Sequence, residues 1–446
     1  MGIVCSKSFT RRPAHRRFRV SSNSNPIKTD SGVLIKLFLM MVLEIAIWGA
    51  WQVKIFSYMG GDGLAFQGWQ ISLAGSMFGI ASVVGIFFSN QFADRYFSAE
   101  KFLAFSHLIG GIALLVTAYC QDFWMFFTAF LVYGLFYVPT LSVTNSLAFA
   151  HMKNSASEFG LVRMGGTIGW IIVSWPFIFL LGAKATVDQM RWIFIVPALI
   201  SFALAAFSLT LPHTPPRKAA AGDDQLAWLK AFKLLKVPYI LLLFIVTLID
   251  STIHNGYFVL IDGFLTDAVK LPGNVTMAVT TIGQIAEIVT MVVLGKVLIR
   301  LGWKWTMIVG IAGHAVRFAV FSFLGNEQYQ WIIIAVQVLH GICYAFFFAT
   351  LYIFVDEVFP KDIRTSAQGM FNLLILGVGL VIASFGFIEL KSRFTSEVDG
   401  KTVVDYFSIF LVPTVLAIVA MALLLFFFKP PKDRPSAPEA AGSLPH

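Results

Sequence analysis

Runs of roughly 20 apolar residues recur from about residue 34 to residue 428 with only short polar breaks, and no other feature narrows the fold of this chain so far. A hydrocarbon core about 30 Å thick takes about 20 residues of α-helix. Strands of a membrane barrel would alternate apolar and polar residues, and these runs do not. Twelve helices are expected, at 34–58, 68–90, 101–119, 123–147, 159–182, 192–211, 237–261, 274–298, 304–325, 330–355, 365–389 and 404–428. With 57% hydrophobic and 13% charged residues among 446, the chain lacks the polar surface of a water-soluble globule. The expected class is an all-α polytopic membrane protein.

The net charge of +9 does not point to nucleic acid, because the basic residues are spread over many loops and form no soluble module. About 23 Lys and Arg fall on one side of the expected helices and about 6 on the other, which places the richer side, and both termini, in the cytoplasm. That side carries the arm "SKSFTRRPAHRRFRV", the central "PPRKAAAGDDQLAWLKAFKLLKVP" and the tail "KPPKDRP", with Arg95, Lys101, Lys296, Arg300, Lys304, Lys361 and Arg364. Cys5, Cys120 and Cys343 are widely spaced and imply neither a disulfide framework nor a metal site. The first thirty residues hold no apolar core of signal-peptide type, so the first helix itself is expected to direct insertion. The opening "MGIVCS" matches a loose acylation pattern at Gly2 beside Cys5, and no attached lipid is expected.

The longest polar interruption divides the apolar runs six and six. The expected organisation is a basic cytoplasmic arm (1–32), a six-helix bundle (33–211), a cytoplasmic linker (212–236), a second six-helix bundle (237–428) and a cytoplasmic tail (429–446). "NQFADRYFSAEK" after the second helix and "GKVLIRLGWKW" after the eighth place a basic loop at the same point of each half. The echo is partial, with Asn90 and Ile299 at positions where the motif has Gly and Asp. Parallel repeats of this kind are typical of the major facilitator fold, with the cargo site between the halves near the midplane.

A charged side chain at the centre of a spanning helix costs about 2.5–3.5 kcal/mol, so each needs a partner, a wet cavity or a neutral state. Glu44, Lys54, Arg163, Asp250, His254, Glu287 and Arg317 are such residues. Burial favours the neutral form of a carboxyl, which lets such a group take up and release a proton as access alternates between the two sides. In "TTIGQIAEIVTMVVLG", Gln284 and Glu287 lie three apart and share a helix face, as two groups lining one cavity would. No basic residue lies three or four positions from Glu287. Asp250 and His254 also share a face, and a local contact between them explains Asp250 as well as a functional role does. "RMGGTIGW" sets Arg163, Thr167 and Trp170 along one stripe, with glycines that permit close helix approach. Thr140, Thr144 and Asn145 are expected to act as glue between helices. Lys54 and Asp262 are expected to reach for the headgroups, and Arg317 to pair with a helix terminus or a carboxylate. Trp48, Trp51, Trp170, Tyr137 and Tyr344 offer aromatic faces to a planar ligand.

The stretches "EIAIWGAWQVKIFSYM", "YVPTLSVTN", "VRMGGTIGW", "LTLPHTP", "GQIAE", "VRFAVFSFLG" and "RTSAQGMFNL", in this order, resemble the bacterial nucleoside:proton symporters of the major facilitator superfamily. The resemblance implies twelve helices in two six-helix bundles and proton-driven nucleoside import across the inner membrane. It also implies cargo-binding roles for Arg163, Thr167, Trp170, Gln284 and Glu287. Asn255 is the one match in the seventh helix, where His254 and Tyr257 depart from the family pattern. Ala345 stands in "HGICYAFFFAT" where members carry an Asp, and Glu44 where a Gln is found. Coupling is therefore expected to rest on Glu287, assisted by Glu44 or Asp250, and Tyr344 completes the expected cargo set.

The expected function is a proton-coupled nucleoside symporter that imports nucleosides across the bacterial inner membrane by alternating access and works as a monomer. The proton is the coupling ion, with no other cofactor and no metal, and the partners are a nucleoside or similar small polar solute and membrane lipid. The alternative is the same scaffold carrying another small polar solute, such as a sugar or glycoside. A non-transporting receptor is the weaker reading, because neither terminus carries a signalling domain. An enzyme is not expected, since no nucleophile and base of useful spacing are visible.

Overall fold

Backbone N–H and C=O groups find no water inside a bilayer, so each apolar run must satisfy them internally as a helix. The computed structural model describes residues 29–61, 63–88, 97–153, 155–216, 232, 234–359 and 364–429. Gly2, Cys5 and the rest of the arm to residue 28, Arg95, most of the linker, Lys361 and the tail beyond 429 lie outside the described residues.

Among the described residues, ten helices are long and apolar enough to cross a membrane. One of them, Gly273–Leu324, has 52 residues and breaks at Gly302, where φ is 70° and ψ 175°, a conformation open to glycine and strained for other residues. Its two limbs are the expected eighth and ninth helices. The expected second helix is present as Gly68–Gly75 and Met77–Phe88, interrupted at Ser76. Each of the twelve apolar runs is thus helical among the described residues.

The first helix (Ser31–Gly49) starts on Asp30, whose carboxylate accepts from the Gly32 N–H at 2.9 Å, an ordinary N-cap. It does not run unbroken to residue 58. After Gly49 the chain makes a turn and resumes as Ile55–Met59. The third, fourth, fifth and sixth helices are Ala99–Tyr119, Phe123–His151, Ser155–Ser174 and Trp192–Ser208, and the seventh is Pro238–Asp267. The tenth and eleventh lie within Glu327–Val358 and Ala367–Arg393, and the twelfth is Tyr406–Phe427. A hairpin of β1 (Thr395–Val398) and β2 (Lys401–Val404) joins the last two. Its turn residues Asp399 and Gly400 have φ of 52° and 71°, the Asp-Gly signature of a type I′ turn.

The first helix packs on the fifth and sixth, and the third on the fourth and sixth. The seventh packs on the eleventh and twelfth, and the long broken helix on the tenth and twelfth. Between these two sets runs a seam, where the second helix meets the eleventh, the fifth meets the broken helix, and Ile55–Met59 meets the seventh. Large apolar side chains such as Phe179, Trp331, Val292 and Phe426 are exposed on the outer faces. Such a surface is explained by acyl chains, which exact no hydrophobic penalty.

The tenth and eleventh helices each contain a π-helical turn, at Tyr344–Ala349 and Leu373–Val378. These turns displace carbonyls from the regular ladder, and they recur at functional sites. Ser251 Oγ donates to the Leu374 carbonyl at 3.3 Å and Asn255 Nδ2 to the Ile375 carbonyl at 3.0 Å. The seventh helix thereby braces the π turn of the eleventh.

Candidate functional site

Two glycines bring the helices of the seam into place. A Cβ on Gly169 would lie 2.1 Å from the Val42 carbonyl oxygen, so the fifth helix rests directly on the backbone of the first. A Cβ on Gly341 would lie 2.1 Å from the Glu287 nitrogen, so the tenth helix rests on the eighth beside that carboxylate. Neither contact survives a larger residue without displacing a helix.

On the fifth helix Arg163 and Thr167 are partly exposed and Trp170 is buried. The Trp170 ring meets Trp48 at 5.8 Å and, across the seam, Phe258 at 6.0 Å. Opposite, Glu287 is partly exposed. Among the described residues its carboxyl makes neither a hydrogen bond nor an ion pair. Gln284 is buried, with an amide oxygen that has no partner among the described residues. The charge of Arg163 acts on Glu287 and on Tyr344, and that of Glu287 on Tyr344. A guanidinium, a carboxyl and a phenol thus lie within electrostatic reach of one another, with the Gln284 amide one turn before Glu287 on the eighth helix, and groups of these kinds can bind the edges of a heterocycle and the hydroxyls of a sugar.

Asn255 also borders this region, but its amide donates to the Ser251 carbonyl at 2.8 Å as well as to Ile375. Only its oxygen is left for a ligand. Trp51 and Tyr137 lie in the packed core of the first half. The Trp51 indole donates to Tyr133 Oη at 3.2 Å, and Tyr137 stacks on Phe78 at 5.6 Å. Thr144 and Asn145 bond to carbonyls of their own helix, while Thr140 reaches another helix.

That reach ends on Glu44. Thr140 Oγ1 donates to one carboxylate oxygen at 2.6 Å, and His107 Nε2 lies 2.9 Å from the other. Glu44 and His107 are each 1% exposed. Tyr137 Oη donates to the Glu44 carbonyl at 2.6 Å and Ser201 Oγ to the His107 carbonyl at 2.8 Å. Glu44 thus sits in a closed, fully partnered cluster.

Asp250 has no contact with His254 of the expected kind. Both its oxygens lack hydrogen-bond partners among the described residues, and His314 Nε2 is 3.8 Å away. His254 instead stacks on His340, ring centroids 4.8 Å apart. Among the described residues, Arg317 likewise has no carboxylate within ion-pair distance. Its guanidinium faces His340 Nδ1 at 2.8 Å and His314 Nδ1 at 3.1 Å, over the Tyr257 ring at 4.3 Å.

Lys54 and Asp262 do not reach for the headgroups. They form an ion pair across the seam, 2.7 Å long, with side chains only 5% and 4% exposed. Thr276 Oγ1 donates to the same carboxylate. Nearby, the Gly273 N–H donates to the Ala183 carbonyl at 2.8 Å and Asn274 Nδ2 to the Ile178 carbonyl at 2.9 Å. Burial makes pairing more favourable than separate solvation for two such charges once their geometry is good.

Sequence reasoning passed over His107, His314, His340 and Gln337, whose amide oxygen accepts from Tyr257 Oη at 2.8 Å. A histidine inside an apolar run is itself a signal of a partnered or functional group, and that signal was available for three of them.

The family model described as nucleoside H+ symporter matches residues 31–433. This chain belongs to the nucleoside H+ symporter family. A nucleoside H+ symporter is a membrane transporter, not an enzyme, and the proton is its coupling ion. Among relatives, the putative nucleoside transporter YegT of Escherichia coli (strain K12) is 29% identical over 88% of this chain and 93% of its own length. The nucleoside permease NupG of the same organism is 27% identical over 87% and 95%. The crystal structure of NupG matches with a TM-score of 0.77 at 25% identity, covering 89% of this chain and 99% of that one. The fold of the described residues is accordingly like that of NupG.

Proposed function

We propose that this nucleoside H+ symporter imports nucleosides across a bacterial inner membrane and binds them at the seam, between Arg163 and Thr167 on one side and Gln284, Glu287 and Tyr344 on the other. Trp170 closes one wall and the Asn255 oxygen borders the site. The observation that carries this reading is that Arg163, Glu287 and Tyr344 lie within electrostatic reach of one another where the fifth helix packs on the eighth, with the Gln284 amide oxygen unpartnered among the described residues. Gln284 pairs with a base edge or ribose hydroxyls, and Glu287 accepts a cargo hydroxyl and responds to protonation. Glu44 stays within its closed cluster and serves coupling indirectly.

The halves 33–211 and 237–428 rock about this site as one monomer, with both termini in the cytoplasm. On that orientation the Lys54–Asp262 clasp lies at the outer end, so this arrangement is closed to the outside. The test is a panel of nucleosides and sugars added to the purified protein. Thermal stabilisation by nucleosides, lost in Gln284→Ala, supports the assignment. Stabilisation by sugars or glycosides alone overturns it in favour of another polar cargo.

A further inference from the structure

The two halves hold matching buried pairs. Glu44 of the first helix faces His107 of the third, and Asp250 of the seventh faces His314 of the ninth. First and third correspond to seventh and ninth when each half is counted from its start. The pairs differ in closure. In the first half the carboxylate and imidazole are 2.9 Å apart and Thr140 occupies the other oxygen. In the second the gap is 3.8 Å, and neither Asp250 oxygen has a hydrogen-bond partner among the described residues.

The chemistry of the second cluster fixes where a proton can reside. A guanidinium only donates, so the Nδ1 atoms of His314 and His340, which face Arg317 at 3.1 and 2.8 Å, both accept. Both rings are then neutral, with their proton on Nε2. A second proton on either ring would set donor against donor. The groups facing Asp250 and Arg317 are His254 and Tyr257 of the seventh helix, His314 of the ninth, and His340 and Cys343 of the tenth. None of them offers the Asp250 carboxylate a hydrogen bond. Asp250 is the carboxylate whose charge acts on Arg317.

We propose that Asp250 is a proton-binding site of the second half in addition to Glu287, bridged to Arg317 through His314, and that its occupancy is passed through His340 to the cargo seam where Glu287 responds. This rests on the reading of the chain as a proton-coupled carrier. A proton from external hydronium adds to the Asp250 carboxylate when access opens, and leaves to internal water after the halves rock. While it is bound, Arg317 has lost its counter-charge and must shift against His340. His340 lies directly on the eighth helix, where a Cβ on Gly283 would come 2.8 Å from the His340 Cβ. Gly283 precedes Gln284, and Tyr344 follows His340 by one helical turn.

The test uses the full chain in proteoliposomes with labelled uridine. One unit of inward-acid pH gradient supports about tenfold accumulation for one proton per cargo. In Asp250→Asn, accumulation falls to about onefold while gradient-independent counterflow persists. Wild-type accumulation by Asp250→Asn overturns the inference and leaves the functional reading intact. Absence of gradient-driven uptake in the unaltered protein overturns both. Should Asp250→Asn fail to fold because Arg317 is stranded, Asp250→Asn with Arg317→Met removes both charges; counterflow without accumulation supports the proposal, and accumulation overturns it.

Discussion

Asp262→Asn removes the anion of the clasp between the halves. Lys54 Nζ and Asp262 Oδ1 are 2.7 Å apart and nearly sealed from solvent. Removing one partner of a buried pair costs about 3–5 kcal/mol. The loss falls on the clasped arrangement, because opening the seam hydrates Lys54. At about 1.4 kcal/mol per factor of ten, the balance shifts toward the unclasped state by roughly 100- to 4,000-fold. Hydrogen exchange of the segment from 270 to 276 reports this, since the Gly273 amide is bonded across the seam to Ala183. Exchange of that segment should accelerate by about 100-fold or more, and the swapped pair Lys54→Asp with Asp262→Lys should restore much of the protection. Unchanged protection in Asp262→Asn refutes the reasoning, because the ion pair would then contribute nothing to closure.

Gln284→Ala should weaken nucleoside binding by roughly 5- to 150-fold, the cost of about 1–3 kcal/mol for a lost buried hydrogen bond; calorimetry showing an unchanged Kd removes Gln284 from the site. Gly169→Val should lower thermal stability, since its Cβ lies 2.1 Å from the Val42 carbonyl oxygen, whereas Gly386→Ala, with open space around it, should not. His107→Leu should destabilise by about 3–5 kcal/mol by stranding Glu44, and adding Glu44→Met should recover most of the loss in a denaturation series.

The apolar runs made the helices legible, because a bilayer leaves a 20-residue apolar segment almost no other conformation. Spacing within one helix was equally legible, and Gln284 and Glu287 lie one turn apart on the unbroken eighth helix as their separation implies. Pairing between distant helices was not. Lys54 and Asp262 each resemble a helix-end residue reaching for headgroups, and only packing brings them together. Asp250 and His254 share a face, yet the nearest base to Asp250 comes from the ninth helix. Arg317 finds imidazoles where a helix terminus or a carboxylate was expected. The π turns at Tyr344–Ala349 and Leu373–Val378 follow from tertiary packing and leave no periodic trace, and the Asp399-Gly400 hairpin hides in a polar loop between two dominant apolar runs.

In the proposed mechanism, proton flow drives nucleoside entry through the seam at Glu287. Labelled nucleoside uptake into proteoliposomes, with and without an inward proton gradient, measures it directly for the unaltered protein and for Glu287→Gln. Concentrative uptake that collapses with the gradient, and is absent in Glu287→Gln, is the predicted result. Uptake indifferent to the gradient, or full accumulation by the variant, would contradict it.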